Sequence, residues 1–297
     1  MPLLQSPTDD AVWRAGVLDD VVAVLACPHC GADLDRTGNS LRCAANHVFD
    51  IARQGYVSLL PGGTKVVGDT AAMVAARADF LAAGHYAPIA DAVAGELADV
   101  EGCVVDIGAG TGYYLARALE GSNRVGLALD VSKYASRRAA KAHPRMGAAV
   151  ADAWQTLPVR TGAASAVLNV FAPRNAAEMH RVLRPDGRLV VVVPNGDHLA
   201  DLVSALGLLK VDERKQERLT EQLADHFDLI AQRTCEFRLS LGEPEAAAVV
   251  AMGPSAWHAD PESLRAQIAA LPKPLAPTAS VTVGSYRPRH LSPGQNP

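Results

Sequence analysis

Two groups of residues have the types and spacing that chemistry needs. The first is Cys27-Pro28-His29-Cys30, followed by Cys43 and then His47. Two residues separate the first pair, twelve separate Cys30 from Cys43, and three separate the last two. A Cys-x-x-Cys turn presents two thiolates to one side of a metal, and the intervening loop lets Cys43 and His47 close a tetrahedron. Three thiolates and one imidazole fill four positions of Zn2+ and leave none for a substrate water, so the centre is structural. His29 lies inside the turn and is a weaker fourth ligand than His47. Unpaired cysteines beside a surface histidine would not require both half-motifs at ligand spacing. Cys103 and Cys235 fall in apolar strand patterns and read as core residues.

The second group is Val104-Val105-Asp106-Ile107-Gly108-Ala109-Gly110-Thr111-Gly112-Tyr113-Tyr114, a strand, a glycine turn and a helix start. Glycines at 108, 110 and 112 let the backbone turn at positive φ and pass close to a ligand. The spacing is Gly-x-Gly-x-Gly, not the Gly-x-Gly-x-x-Gly of dinucleotide sites. Asp106, two residues before the first glycine, suits a cation. S-adenosylmethionine carries an ammonium and a sulfonium and no phosphate. Asp130 ends the next strand, where a carboxylate can accept from two ribose hydroxyls. Asp152 ends the third, on the adenine side. Three acids at three strand ends make a stronger constellation than the glycines alone.

The elements that hold these groups follow from pattern. The chain has 297 residues, 49% hydrophobic and 20% charged, a globular composition. A formal net charge of −4 excludes a protein that coats nucleic acid by bulk charge. No apolar stretch is long enough for a bilayer, and Met1 to Asp20 lacks the pattern of a secretion signal, so no membrane partner is expected. An odd number of cysteines with three clustered suits a reducing, cytoplasmic setting. From Cys103 onward, short apolar runs alternate with helical patterns: Cys103 to Ile107, Arg124 to Leu129, Ala148 to Ala151, Ala164 to Val170 and Leu189 to Val193. That alternation predicts an α/β fold with a mostly parallel, doubly wound, Rossmann-like sheet. A strand from Arg233 to Leu241 and a last one from Ser280 to Tyr286 follow. The divisions are an extension over 1–23, a zinc-binding module over 24–60, a linker with helices over 61–100, an α/β domain over 101–287 that carries the glycine loop and the three acids, and a tail over 288–297. Asp69 or Thr70 can cap the first linker helix, and Gly84 ends it.

Taken together, these residues resemble the RlmA family of 23S rRNA (guanine-N1)-methyltransferases, from about Leu25 to Tyr286. The resemblance is carried by the Cys27, Cys30, Cys43, His47 cluster, by Phe49 to Leu60 directly after it, and by Gly68-Asp69-Thr70 with Met73. Phe80-Leu81, Gly84-His85-Tyr86, the Asp106 to Tyr114 loop and Asp130 to Lys133 continue it. Phe171-Ala172-Pro173, Pro194 with His198-Leu199, and Met252-Gly253-Pro254 with Trp257 complete it. It implies a class I S-adenosylmethionine-dependent methyltransferase with an N-terminal zinc module that helps to bind RNA. The implied substrate is one guanine in a hairpin of large-subunit rRNA that lines the peptide exit tunnel. Homodimers occur in the family, and one branch confers macrolide resistance. Carried over by position, Tyr86, Tyr114, Leu115 and His198 join Asp106, Gly108, Gly110, Gly112, Asp130 and Asp152 as cofactor contacts.

Guanine N1 carries a proton and is a poor nucleophile until that proton leaves, so a base within reach would help. His85, Asp69 and His198 are the candidates, none of them assigned. Phe171 and Trp257 are candidates for stacking a splayed-out base. Arg36, Arg42, Arg53 and Lys65, in or beside the zinc module, are expected to meet RNA. Lys133, Arg137, Arg138, Lys141 and Arg145 read first as a solvated face. The competing functions are a small-molecule methyltransferase with the zinc module as a stabilising lid, and a non-catalytic RNA-binding protein of the same fold.

Overall fold

The computed structural model of the chain describes residues 18–64, 67–208, 215–252 and 261–290. Expectations on Lys65, Gly253, Pro254, Trp257, part of the charged stretch Lys210 to Arg218, and the residues before 18 and after 290 fall outside that description.

The chain opens with a three-stranded antiparallel ribbon, β1 (Leu34–Thr37), β2 (Ser40–Cys43) and β3 (Val48–Asp50). A short strand β4 (Tyr56–Ser58) and two helices, α1 (Ala71–Ala82) and α2 (Ala87–Gly95), lead into the main domain. There β5 (Cys103–Ile107), α3 (Tyr113–Leu119), β6 (Val125–Asp130), α4 (Lys133–Ala139), β7 (Met146–Val150), β8 (Ala164–Val170), α5 (Ala176–Val182) and β9 (Leu183–Pro194) alternate. The chain finishes with α6 (Ala200–Ala205), α7 (Lys215–Ala224), β10 (Phe227–Arg238), α8 (Glu243–Ala251), α9 (Pro261–Ala270) and β11 (Thr278–Pro288).

Eight strands form one sheet in the order β10-β11-β9-β8-β5-β6-β7-β4. Every pairing from β4 through to β9 is parallel, and β11 runs antiparallel to both of its neighbours. This is the mostly parallel, doubly wound sheet that the strand pattern predicts. The physical cause is visible in β5, β7 and β8, each buried at every residue. Strands that are apolar on both faces need a helical layer on each side. Along β5, Val104 belongs to one core, and Cys103, Val105 and Ile107 belong to the opposite one, as the two-residue period of a strand requires.

Three features differ from the pattern-based expectation. Tyr56–Ser58, assigned with the zinc module, pairs in parallel with β7 and forms the edge of the large sheet, with Val57 fully buried. Three residues with one apolar centre carry too little periodicity to be read as a strand. β10 begins at Phe227, six residues before its expected start; the added residues Phe227 to Gln232 lack the alternation of a half-buried strand, and Leu229 and Ile230 are exposed. β9 begins at Leu183, since Pro185, Asp186 and Gly187 fall at a register irregularity opposite Ala164 and Ala166.

The extension over 1–23 carries no motif. Leu18 and Val21, on a helical turn over 18–22, are nevertheless fully buried. A Cβ placed on Gly147 of β7 would meet Val21 Cγ2 at 2.4 Å, so this glycine is what admits the segment. The ribbon packs on the same face of the sheet. Leu34, Leu41, Phe49 and Ile51 share one core with Leu127, Leu129, Ala149 and Val159, and Leu25 bridges to Val159.

Candidate functional site

The zinc centre is built by two turns. Gly31, at φ +71, lets its N–H reach Cys27 O at 2.8 Å, which brings Cys30 round beside Cys27. Asn46, at φ +64, closes the second turn, with its N–H donating to Cys43 O at 2.9 Å. The ligand atoms of Cys27, Cys30, Cys43 and His47 all lie within 4.8 Å of one another. His47 Nδ1 stands 3.4 Å from Cys27 Sγ and 3.3 Å from Cys43 Sγ, and Cys30 Sγ is 3.8 Å from Cys43 Sγ. Bonds of about 2.0–2.3 Å around a tetrahedral Zn2+ require ligand atoms roughly 3.3–3.8 Å apart, so the donor set fits that ion. His29 stays outside the cluster, with its ring stacked on Phe49 at 5.8 Å.

The second site lies at the carboxyl ends of β5, β6 and β8. Gly108 and Ala109 donate to Leu129 O at 2.8 and 3.0 Å, which fixes the loop to β6. A Cβ on Gly108 would lie 2.4 Å from Ala172 Cβ, so only glycine passes between β5 and the Phe171-Ala172-Pro173 turn. Asp130 holds the loop from the next strand. Its Oδ2 accepts from Gly110 N and its Oδ1 from Ser132 N, both at 2.8 Å. Each oxygen keeps a second lone pair, which ribose hydroxyls can use. Burial raises the pKa of Asp130, and the two backbone hydrogen bonds oppose that shift.

Asp106 is buried and neither carboxylate oxygen has a hydrogen-bond partner. Desolvation, helped by the charge of Asp130, pushes its pKa up to about 8. On the neighbouring strand, Asn169 donates to Ile107 O at 3.3 Å and Pro173 O at 2.8 Å, which ties β8 and the Phe171-Ala172-Pro173 turn to β5. Buried acceptors without donors are costly unless a ligand supplies the donors. An ammonium does so, and the pocket therefore fits S-adenosylmethionine.

Four rings gather over this loop. Phe171 lies 6.2 Å from Tyr86, 6.3 Å from Tyr114 and 6.2 Å from His198, centroid to centroid. Tyr86 Oη and His198 Nε2 are 3.2 Å apart, a hydrogen bond between residues 112 positions apart in sequence. Burial raises the phenol pKa of both Tyr86 and Tyr114, so both stay neutral. Phe171 is 40% exposed and sits at φ +54, a conformation that a bulky residue rarely adopts.

The structure thus brings together Tyr86, Asp106, Gly108, Gly110, Gly112, Tyr114, Asp130 and His198. Leu115 is fully buried with its methyls against Gly126, so its side chain is core and only its backbone faces other work. Asp152 is half-buried beyond β7, accepting from Trp154 N at 3.0 Å. Of the candidate bases, Asp69 is paired with Arg77, and His198 also contacts Ser280 O at 3.0 Å. His85 Nε2 is buried without a partner beside Phe80. Among the expected RNA contacts, Arg36 is spent on Asp19 at 2.7 and 2.8 Å. Arg145 caps the carbonyls of Arg124 and Leu119. Arg77, on α1, belongs to no motif, yet its Nη1 stands 3.6 Å from where a Cβ on Gly110 would lie, a neighbour distant in sequence.

The family described as "RlmA, N-terminal" matches residues 25–66, and that described as "Methyltransferase domain" matches 104–187. A 23S rRNA (guanine(748)-N(1))-methyltransferase of Streptomyces fradiae is 54% identical over 91% of this chain and 98% of its own length. A putative 23S rRNA (guanine-N(1)-)-methyltransferase of Micromonospora griseorubida is 50% identical over 91% of this chain and 99% of its own. One from Bacillus subtilis is 30% identical over 80% and 88%. Among solved structures, the complex of the Haloferax volcanii Trm112 methyltransferase activator with a putative methyltransferase superposes with a TM-score of 0.51 at 16% identity. It covers 76% of this chain and 100% of the other. That likeness supports the fold alone. Through its zinc ribbon, its glycine-loop pocket and its identity to these relatives over nearly their whole length, the chain belongs to the RlmA-type 23S rRNA (guanine-N1)-methyltransferases.

Proposed function

We propose that the protein transfers a methyl group from S-adenosylmethionine to N1 of one guanine in a hairpin of 23S rRNA, the position equivalent to 748 of the Streptomyces fradiae relative's name. The observation that carries this reading is the half-exposed Phe171 packed on buried Tyr86 and Tyr114 at the end of β8, next to the strand that carries the unpaired Asp106. When bound, the donor supplies an electrophilic methyl group. The protein positions the two reactants and excludes water. Asp106 and the glycine loop orient the donor, and Asp130 holds its ribose. Phe171 offers a π-face to a base turned out of its hairpin. The neutral Tyr86 and Tyr114 close the floor without presenting an anion to the sulfonium.

RNA docking is assigned to α4 and to the outer face of the ribbon. Lys133, Tyr134, Arg137 and Arg138 are exposed on α4, which starts at the pocket edge, and Trp154 is exposed on the loop after β7. Arg42 and Arg53 are the exposed cations of the ribbon segment. A homodimer is the assembled form we infer. Exposed Leu229 and Ile230 on the outermost strand β10 support it, and sedimentation velocity tests it. No helix among the described residues is long and apolar enough to cross a membrane. Cytoplasmic residence and a contribution to macrolide resistance belong to the same proposal.

Primer extension on 23S rRNA from cells with and without the gene tests the activity. A stop at one guanine that appears only with the gene is the expected result. Methyl transfer from the donor to small molecules, with rRNA left unlabelled, would overturn it.

A further inference from the structure

We propose that Arg77 binds the α-carboxylate of the donor's methionine moiety, opposite the Asp106 carboxylate that faces its ammonium. This inference rests on the reading of the pocket as an S-adenosylmethionine site. It starts from a mismatch of charge. Asp130 lies within electrostatic reach of both Asp106 and Asp69 around the glycine loop. Two cationic groups of the donor suit that surround. Its single carboxylate does not, unless a cation meets it.

Arg77 is placed to be that cation. Its Nη1 and Cδ lie 3.6 and 3.7 Å from where a Cβ on Gly110 would stand. Gly110 is the middle glycine of the loop, at φ +55, and its N–H is tied to Asp130. The guanidinium therefore hangs over the bend that must pass closest to the ligand. Its charge is felt by Asp130 and by Tyr114, lowering both, so it stands between the two walls of the pocket.

The side chain is about a quarter exposed and is held, not floating. Nη1 donates to Asp69 Oδ2 in a short ion pair. Asp69 is itself strapped to the β6–α4 loop, because its carbonyl accepts from Ser132 Oγ at 2.7 Å. Thr70 caps α1 through Met73 N at 3.3 Å, which leaves the Asp69 carboxylate free for Arg77. A guanidinium has five N–H donors in a planar fork, and Asp69 engages one nitrogen. The remaining edge can take a second carboxylate without releasing the first. Asp69 thus presets the fork, and α1 carries a ligand group that belongs to neither the ribbon nor the glycine loop.

Calorimetry with two ligands tests this. S-adenosylhomocysteine has the amino-acid moiety; 5′-methylthioadenosine is the same thioether nucleoside without it. Arg77→Gln is expected to weaken S-adenosylhomocysteine about 10- to 100-fold, the range for losing a charge-assisted pair. Binding of 5′-methylthioadenosine is expected to stay within about twofold of wild type, which also shows that the variant is folded. Arg77→Lys, with charge but no fork, should fall between. Equal loss of both ligands in both variants, or no loss of S-adenosylhomocysteine, overturns the inference. Failure of the wild-type protein to bind S-adenosylhomocysteine overturns the donor reading itself, and the inference with it.

Discussion

The ribbon and the pocket handle buried polar atoms in opposite ways. In the ribbon, three sulfurs and one imidazole nitrogen converge within 4.8 Å of one another, and the turns at Gly31 and Asn46 serve that convergence. In the pocket, the Asp106 oxygens are held apart from any protein donor, and Phe171 sits at positive φ. The first arrangement is complete once an ion is present and leaves no position for a substrate. The second is complete only when a ligand arrives. A closed donor set thus marks the metal centre, and an unpaired buried carboxylate marks the ligand pocket.

Breaking the ribbon should have the largest effect. Structural zinc contributes on the order of 10 kcal/mol to the folding of isolated fingers. Cys27, Cys43 and Phe49 share a core with the sheet, so removal of the ion should not stay local. Cys43→Ser, or a strong chelator, is expected to lower the thermal midpoint by more than about 10 °C, read by calorimetry. An unchanged midpoint would show that the ribbon is an independent attachment.

Asp106→Asn comes next. It removes the charge that the donor's ammonium meets, and a loss of about 100-fold in donor affinity is expected. Proton linkage sharpens the test. With its pKa at about 8 in the ligand-free fold, Asp106 is protonated at neutral pH. In the unfolded chain it ionises near the ordinary carboxylate value of about 4. The native state therefore holds the extra proton between these two values, and ligand-free stability falls as pH rises through that window. Donor binding favours the ionised form and should release close to one proton below pH 8. Titrations near pH 6.5 in buffers of different ionisation enthalpy measure that release, and Asp106→Asn should abolish it.

Phe171→Ala separates base presentation from donor binding. Base stacking on an aromatic ring is worth about 1–3 kcal/mol, so kcat/KM for rRNA is expected to fall about 10- to 100-fold. Donor affinity should stay near wild type; a loss confined to the donor would move Phe171 to the other half of the site. Val21→Ala is the smallest. It opens space over Gly147 and should cost about 2 kcal/mol of stability while leaving the kinetics of the folded fraction intact.

How much of this could be read in advance depended on distance along the chain. The zinc ligands fall within twenty-one consecutive residues, and the glycine loop with its Asp within seven. Local spacing alone brings such groups together, so these motifs and the parallel sheet behind them were legible. Tyr86 and His198, and Arg77 and Gly110, meet across the fold. Their position was implied by family resemblance in the first pair and not at all in the second. β4 and the segment at Leu18 and Val21 were missed for a related reason, since each is too short to show a period and is stabilised only by what it packs against.

What the amino-acid order settled unaided was therefore chemistry of short range: a four-ligand metal centre, a glycine bend after an acid-tipped strand, and alternating apolar runs that need cover on both faces. The tertiary structure decided which acid stays unpaired, which arginine faces the ligand, and that ribbon and sheet share a core. The physical reason is desolvation. A carboxylate is costly or useful only once its surroundings exclude water, and those surroundings come from strands and helices that meet only when the chain has folded.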